Sequence, residues 1–135
     1  MRAVLDANIA AALMIRLPYS AAAEEAVREA SEIMAPDLIF SETANAFWKM
    51  ARLDMALLFH GKAALQKLNN LFDLILPSQE SAVDAYMMAV EHGHPVYDCI
   101  YVIAARKSAA TLITADKRLA ALAAKTETAI RLVSA

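Results

Sequence analysis

Five short apolar runs separated by longer helix-periodic stretches constrain this chain most. They are Ala3-Val4-Leu5, Ile33-Met34-Ala35, Leu74-Ile75-Leu76, Thr111-Leu112-Ile113-Thr114 and Ala129 to Val133. Each is too short for a helix and apolar without alternation, the pattern of a strand in a sheet covered on both faces. Strands that alternate with helices join their neighbours in parallel through crossovers. The expected class is therefore α/β with a central, largely parallel sheet.

The intervening stretches read as helices with local stop and start signals. Ile9 to Ile15 is short, and Ser20 to Glu32 follows with Ser20 as its candidate N-cap. Asp37, just past Pro36, is placed to cap a helix to about Leu53, and Leu57 to Leu71 makes another, weakly broken at Gly61. Pro77 ends the third strand, and Ser81 with Asp84 forms a capping-box-like pair opening a helix that stops at Gly93. Tyr97 to Lys107 follows Pro95, and Asp116 opens an Ala-rich helix to about Lys125.

Composition narrows what such a fold can do. The 135 residues are expected to form one domain, 1–135, without linker or repeat. With 59% hydrophobic and 21% charged residues the chain has ample core, which excludes disorder and leaves apolar surface for a partner. Only two glycines are present, which excludes a Walker loop or a GxGxxG turn. One cysteine makes neither an internal disulfide nor a Cys-rich zinc site, and fits a reducing cytoplasm. Arg2 and the apolar stretch after it resemble a secretory signal, but Asp6 and Arg16 interrupt the apolar core a signal needs, and no run is long enough to span a membrane. The net charge of −2 offers no broad basic field for nucleic acid, so any such binding must be local.

In open α/β sheets the active crevice lies beyond the carboxyl ends of the strands. Asp6, with Asn8 two residues on, follows the first strand, and Thr114 and Asp116 follow the fourth. Two more acids enter from helices. Glu42 lies on the Asp37–Leu53 helix, and Asp98 opens the next-to-last helix within the apolar run Tyr97-Asp98-Cys99-Ile100-Tyr101. A carboxylate in that setting is costly to desolvate unless a helix N-terminus or a bound cation compensates it; a simple helix cap is the plainer alternative. At 100° per residue, Glu42, Asn45, Lys49 and Arg52 fall within about 80° of one another, opposite Thr43, Ala46, Phe47, Met50 and Ala51. That stripe fits a metal at its acidic end and phosphates at its basic end, or merely a solvated face. Four carboxylates without converging His or Cys suit a hard cation, Mg²⁺ or Mn²⁺, and such a centre serves phosphoryl-transfer hydrolysis.

Four segments together resemble the signature of PIN-domain ribonucleases: Val4-Leu5-Asp6-Ala7-Asn8, Ser41-Glu42-Thr43-Ala44-Asn45-Ala46, Tyr97-Asp98-Cys99-Ile100-Tyr101-Val102-Ile103-Ala104-Ala105 and Leu112-Ile113-Thr114-Ala115-Asp116-Lys117-Arg118-Leu119. Order and spacing match over nearly the whole chain, whose length is that of a VapC-type toxin of a type II toxin–antitoxin pair. The resemblance implies a PIN-like three-layer fold with about five short parallel strands flanked by helices. It implies Asp6, Glu42, Asp98 and Asp116 as catalytic metal ligands, with Asn8, Asn45 and Thr114 as supporting polar residues. It implies Mg²⁺- or Mn²⁺-dependent hydrolysis of structured RNA such as tRNA or rRNA, in which an activated water attacks in line to leave a 5′-phosphate and a 3′-hydroxyl. It also implies a VapB-type antitoxin that blocks the site, and a homodimer. Some members carry another acid three residues past the last Asp; here that position is Leu119, so a fifth ligand is missing for a second ion.

Lys49, Arg52, Lys117 and Arg118 are candidates for a basic rim that binds RNA, with Arg16 as a weaker one. His92 and His94 flank Gly93 and read as a solvated loop, since zinc needs more ligands than they and Cys99 supply. Phe47, Trp48, Phe59 and Phe72 read mostly as core; some of them, with Leu57, Leu58 and Leu65, are alternatively the wall of a groove for an antitoxin helix. Two other functions compete: a PIN-fold module that binds RNA or a partner without cutting, and a small phosphatase of haloacid-dehalogenase type. The phosphatase wants a second Asp where this chain has Asn8.

Overall fold

The computed structural model describes residues 1–134. Its strands are β1 (Arg2–Leu5), β2 (Glu32–Pro36), β3 (Leu74–Leu76), β4 (Thr111–Thr114) and β5 (Ile130–Leu132). Its helices are α1 (Ala7–Met14), α2 (Ser20–Arg28), α3 (Leu38–Leu53), α4 (Leu58–Lys67), α5 (Ala82–His92), α6 (Val96–Lys107) and α7 (Lys117–Lys125). The strands form one sheet in the order β3-β2-β1-β4-β5, and every neighbouring pair is parallel. The chain therefore builds outward from β1 to β3, then crosses to the other side of β1 for β4 and β5. Between β1 and β4 the direction of winding reverses, and there the crevice of a parallel sheet opens.

Successive strand residues point to opposite faces, and the core divides accordingly. Val4, Met34 and Leu112 face α5, α6 and α7 in one buried cluster, with Leu119 and Leu122. Ala3, Leu5 and Ile113 face α1 and α2 in the other, with Ile9, Ala12, Ala23 and Ala26. A third small cluster of Ala11, Phe47 and Ala64 joins α1, α3 and α4. The middle of α6 is buried all round, from Cys99 to Ala105. No helix among the described residues is long and apolar enough to cross a membrane.

Several local expectations give way to tertiary bonds. Ser20 is the first helical residue rather than the N-cap: its hydroxyl accepts from Leu17 N and donates to Ala12 O, tying α2 to α1. The second helix ends at Arg28 because Glu32 joins β2, where its carboxylate pairs with Arg2 at 2.9 Å. Asp37 makes no capping bond; its Oδ1 accepts from the Ser78 backbone and hydroxyl instead. Ser81 caps nothing, and Asp84 pairs with Lys107 at 3.5 Å. Gly61 lies inside α4 without breaking it, and its missing side chain leaves room for Phe47, whose Cβ would stand 3.2 Å from a Cβ there. Phe47 is core as expected, whereas Trp48 and Phe59 are exposed. Cys99 is the buried hydrophobe its surroundings suggest.

Candidate active site

Four carboxyl-bearing residues line one crevice of about 370 Å³ above the β1–β4 junction: Asp6, Glu42, Asp98 and Asp116. Asp6 follows β1 and caps α1, its Oδ1 accepting from Ile9 N at 3.0 Å. Asp116 follows β4 and caps α7, its Oδ1 accepting from Arg118 N at 2.8 Å and Leu119 N at 3.3 Å. Asp98 stands in the first turn of α6, and Glu42 one turn into α3. Three helices thus begin at the crevice, where their positive ends favour anions.

Thr114 joins the two strand ends. Its hydroxyl donates to Asp6 Oδ2 and accepts from Asp116 N at 3.0 Å. Despite this help the Asp6 carboxyl is pushed up to about 6, chiefly by burial and further by the charges of Asp116 and Asp98. Glu42 is also raised, by burial first and by Asp98, while the facing Tyr101 hydroxyl works against the shift. The Tyr101 hydroxyl is buried facing Glu42; burial and the Glu42 charge hold it protonated far above the ordinary phenol range. The site is therefore overloaded with negative charge, the condition that a bound cation relieves.

The donor set is all carboxylate oxygen, which fits a hard ion. Among the described residues, no three His, Cys, Asp or Glu side chains close on one point. That spacing suits an ion that retains several waters, as Mg²⁺ does, better than one that needs a closed protein cage.

Asn8, Asn45 and Lys49 also line the crevice. So do Ala46 and Met50, which helical spacing placed on the opposing side; the buried stripe of α3 is Ile39, Thr43 and Phe47. Arg52 is not among the lining residues, and its guanidinium lies over the Trp48 ring, 4.8 Å from the centroid. Lys117 and Arg118 are exposed at the start of α7, beside Asp116. Arg16 pairs with Glu24 at 3.1 Å. Sequence reasoning missed Tyr101 as a site residue, although three residues after Asp98 put it on the same helix face. It also misjudged His94, whose side chain is 9% exposed and whose Nε2 lies 3.0 Å from Asp98 Oδ2. A larger groove of about 730 Å³ between α5, α6 and α7 mixes acids with cations, including the paired Asp84 and Lys107, and gathers no comparable set.

A five-stranded parallel sheet flanked by helices, with acids gathered at its switch point, is the architecture of the PIN-like α/β class. The PIN domain family model matches residues 3–125, and the chain belongs to that family. It is 36% identical over 122 residues to Ribonuclease VapC3 of Pyrobaculum aerophilum, a match covering 89% of this chain and 93% of that protein. Among solved structures it is similar to PAE2754 of the same organism, with a TM-score of 0.68 at 27% identity over 90% of this chain and 84% of that one. It also resembles VapC20 of Mycobacterium tuberculosis, a toxin that cleaves the sarcin-ricin loop, with a TM-score of 0.66 over 88% of this chain and 93% of that one. At 15% identity the second likeness concerns the fold alone.

Proposed function

We propose that this chain, as a single PIN domain, is a Mg²⁺- or Mn²⁺-dependent endoribonuclease and the toxin of a cytoplasmic toxin–antitoxin pair. One observation carries the reading: four carboxylates from four separate elements face one crevice at the switch point, where burial, and after it the charges of Asp116 and Asp98, raises the Asp6 carboxyl. Similarity over most of both chains to a protein named a ribonuclease supports RNA as the substrate.

In this mechanism Asp6, Glu42, Asp98 and Asp116 would hold the ion, which would supply Lewis-acid stabilisation of developing negative charge and lower the pKa of water. Thr114 and the N-terminus of α1 fix the Asp6 carboxylate, and the N-terminus of α7 fixes Asp116. Asn8 and Asn45, at the crevice wall, orient water and phosphate. Lys49 inside the crevice, with Lys117 and Arg118 beside it, neutralises the RNA backbone. A single-stranded loop of a structured RNA suits the opening, because its bases are already free of a helix.

Two apolar surfaces support partners. Leu53 lines the crevice and continues into exposed Met55, Leu58 and Phe59, a surface for the apolar face of an antitoxin helix that blocks the site. Val83, Tyr86, Met87 and Val90 form an exposed stripe at helical spacing along α5, a surface for a second copy of the chain. The direct test is cleavage of total cellular RNA by the purified chain with Mg²⁺ or Mn²⁺ and then with chelator, beside Asp6→Asn and Asp98→Asn. Discrete fragments from the wild type with metal alone support the nuclease. Identical patterns from all three proteins leave the non-cleaving binding module as the better reading.

A further inference from the structure

The loop between α5 and α6 carries a residue that the family signature does not include. Gly93 closes α5 in the left-handed conformation (φ 63°), and its N–H and that of His94 both reach Ala89 O, at 2.9 and 3.3 Å. Pro95 then opens α6, whose Cys99 N donates back to Pro95 O. His94 is thereby pinned between two helix ends with its side chain 9% exposed, one helical turn before Asp98. Its Nε2 lies 3.0 Å from Asp98 Oδ2. An ionised carboxylate only accepts hydrogen bonds, so Nε2 carries the hydrogen and donates it.

We infer that His94 is a positioning residue: it occupies Oδ2 of Asp98, leaves Oδ1 as the single oxygen offered to the ion, and so sets which divalent cation the crevice prefers. This rests on the metal-dependent reading above. The physical reason lies in how the cations use carboxylates. Mg²⁺ and Mn²⁺ suit one oxygen per carboxylate in a compact octahedral site, whereas the larger Ca²⁺ takes more oxygens and accepts both from one carboxylate. An Asp98 held by one oxygen is a good ligand for the former and a poor one for the latter. Partners that hold a ligand from behind also fix its direction, and losing them weakens metal affinity about 10- to 100-fold.

Two substitutions of similar size separate donation from packing. Gln places an amide N–H near the position of Nε2; Met fills the space without a donor. The readout is Mn²⁺ binding followed by its paramagnetic resonance signal, with Ca²⁺ as competitor, on folded protein checked by melting temperature. His94→Met is expected to bind Mn²⁺ about tenfold more weakly and to narrow the preference for Mn²⁺ over Ca²⁺, and His94→Gln to restore both. The inference is overturned if His94→Met matches the wild type in both measurements, or if Gln and Met lose affinity equally, since packing would then suffice. A wild type that binds no Mn²⁺ overturns the metal-dependent reading itself, and the two failures are told apart in the wild-type arm.

Discussion

The Thr114 hydroxyl donates to Asp6 Oδ2, joining two residues 108 positions apart in sequence across the junction of β1 and β4. The same oxygen accepts from the Asp116 backbone, so one small side chain sets the spacing of two acids. Thr114→Val keeps the shape and removes the hydroxyl. The Asp6 carboxyl should then rise further, because the missing bond is the strongest influence holding it down. The fold should weaken by about 1–3 kcal/mol, the usual cost of orphaning buried polar partners. Carbon-detected NMR titration of Asp6 checks the first expectation; an unmoved carboxyl would show that Thr114 does not govern it.

Burial of Asp6 gives a pH dependence of definite sign. Its carboxyl is raised from 3.8 to about 6, so between those values the folded protein binds a proton that the unfolded chain has released. Stability of the ion-free protein therefore declines as pH rises through that window and is fully relieved of the strain below it. Asp6→Asn removes the charge while keeping an oxygen for Ile9 N. Above the window, in chelator, the variant should be more stable than the wild type by on the order of 3 kcal/mol, and the two should converge below it. Urea denaturation at both ends of the range measures this. Equal stability above the window would mean that Asp6 is not strained.

Much of this architecture is legible in the sequence because it depends on contiguous signals. Five short apolar runs, bounded by Pro36, Pro77, Asp6 and Asp116, mark the strands and their carboxyl ends, and those ends hold half of the acids. What sequence pattern misses is side-chain choice between local and distant partners. Ser20 and Asp37 carry the chemistry of N-caps, yet Ala12 and Ser78, brought near by the fold, take their bonds. His94 reads as a loop residue because nothing local shows that Gly93 and Pro95 fold it back onto Asp98. The apolar Met50 and Ala46 line the crevice because it is broader than a single polar stripe of α3.

The turn that carries His94 is itself testable. Gly93 has φ 63°, and a Cβ there would meet no atom within 4 Å, so only backbone strain opposes a side chain. Gly93→Ala should cost about 1 kcal/mol of stability without any packing defect. A variant as stable as the wild type would show that the left-handed cap does not constrain the α5–α6 junction.

The cations near the crevice are not equivalent. Lys49 lines it, whereas the Arg52 guanidinium rests on Trp48 outside it. Lys49→Glu should weaken RNA binding and flatten its dependence on salt without lowering metal affinity, and Arg52→Glu should weaken RNA binding less. Removing a cation that neutralises one phosphate lowers the salt slope by about one unit. Equal effects of the two reversals would place the RNA path across Trp48 instead.

If the four carboxylates serve water attack on the RNA phosphodiester, the chemistry of the cut ends reveals it. Fragments made by the wild-type chain with Mg²⁺ or Mn²⁺ should carry 5′-phosphate and 3′-hydroxyl ends, read by their response to phosphatase and to ligation. Ends bearing 2′,3′-cyclic phosphate and 5′-hydroxyl, formed equally well in chelator, would contradict it, because the RNA's own 2′-hydroxyl would then be the nucleophile.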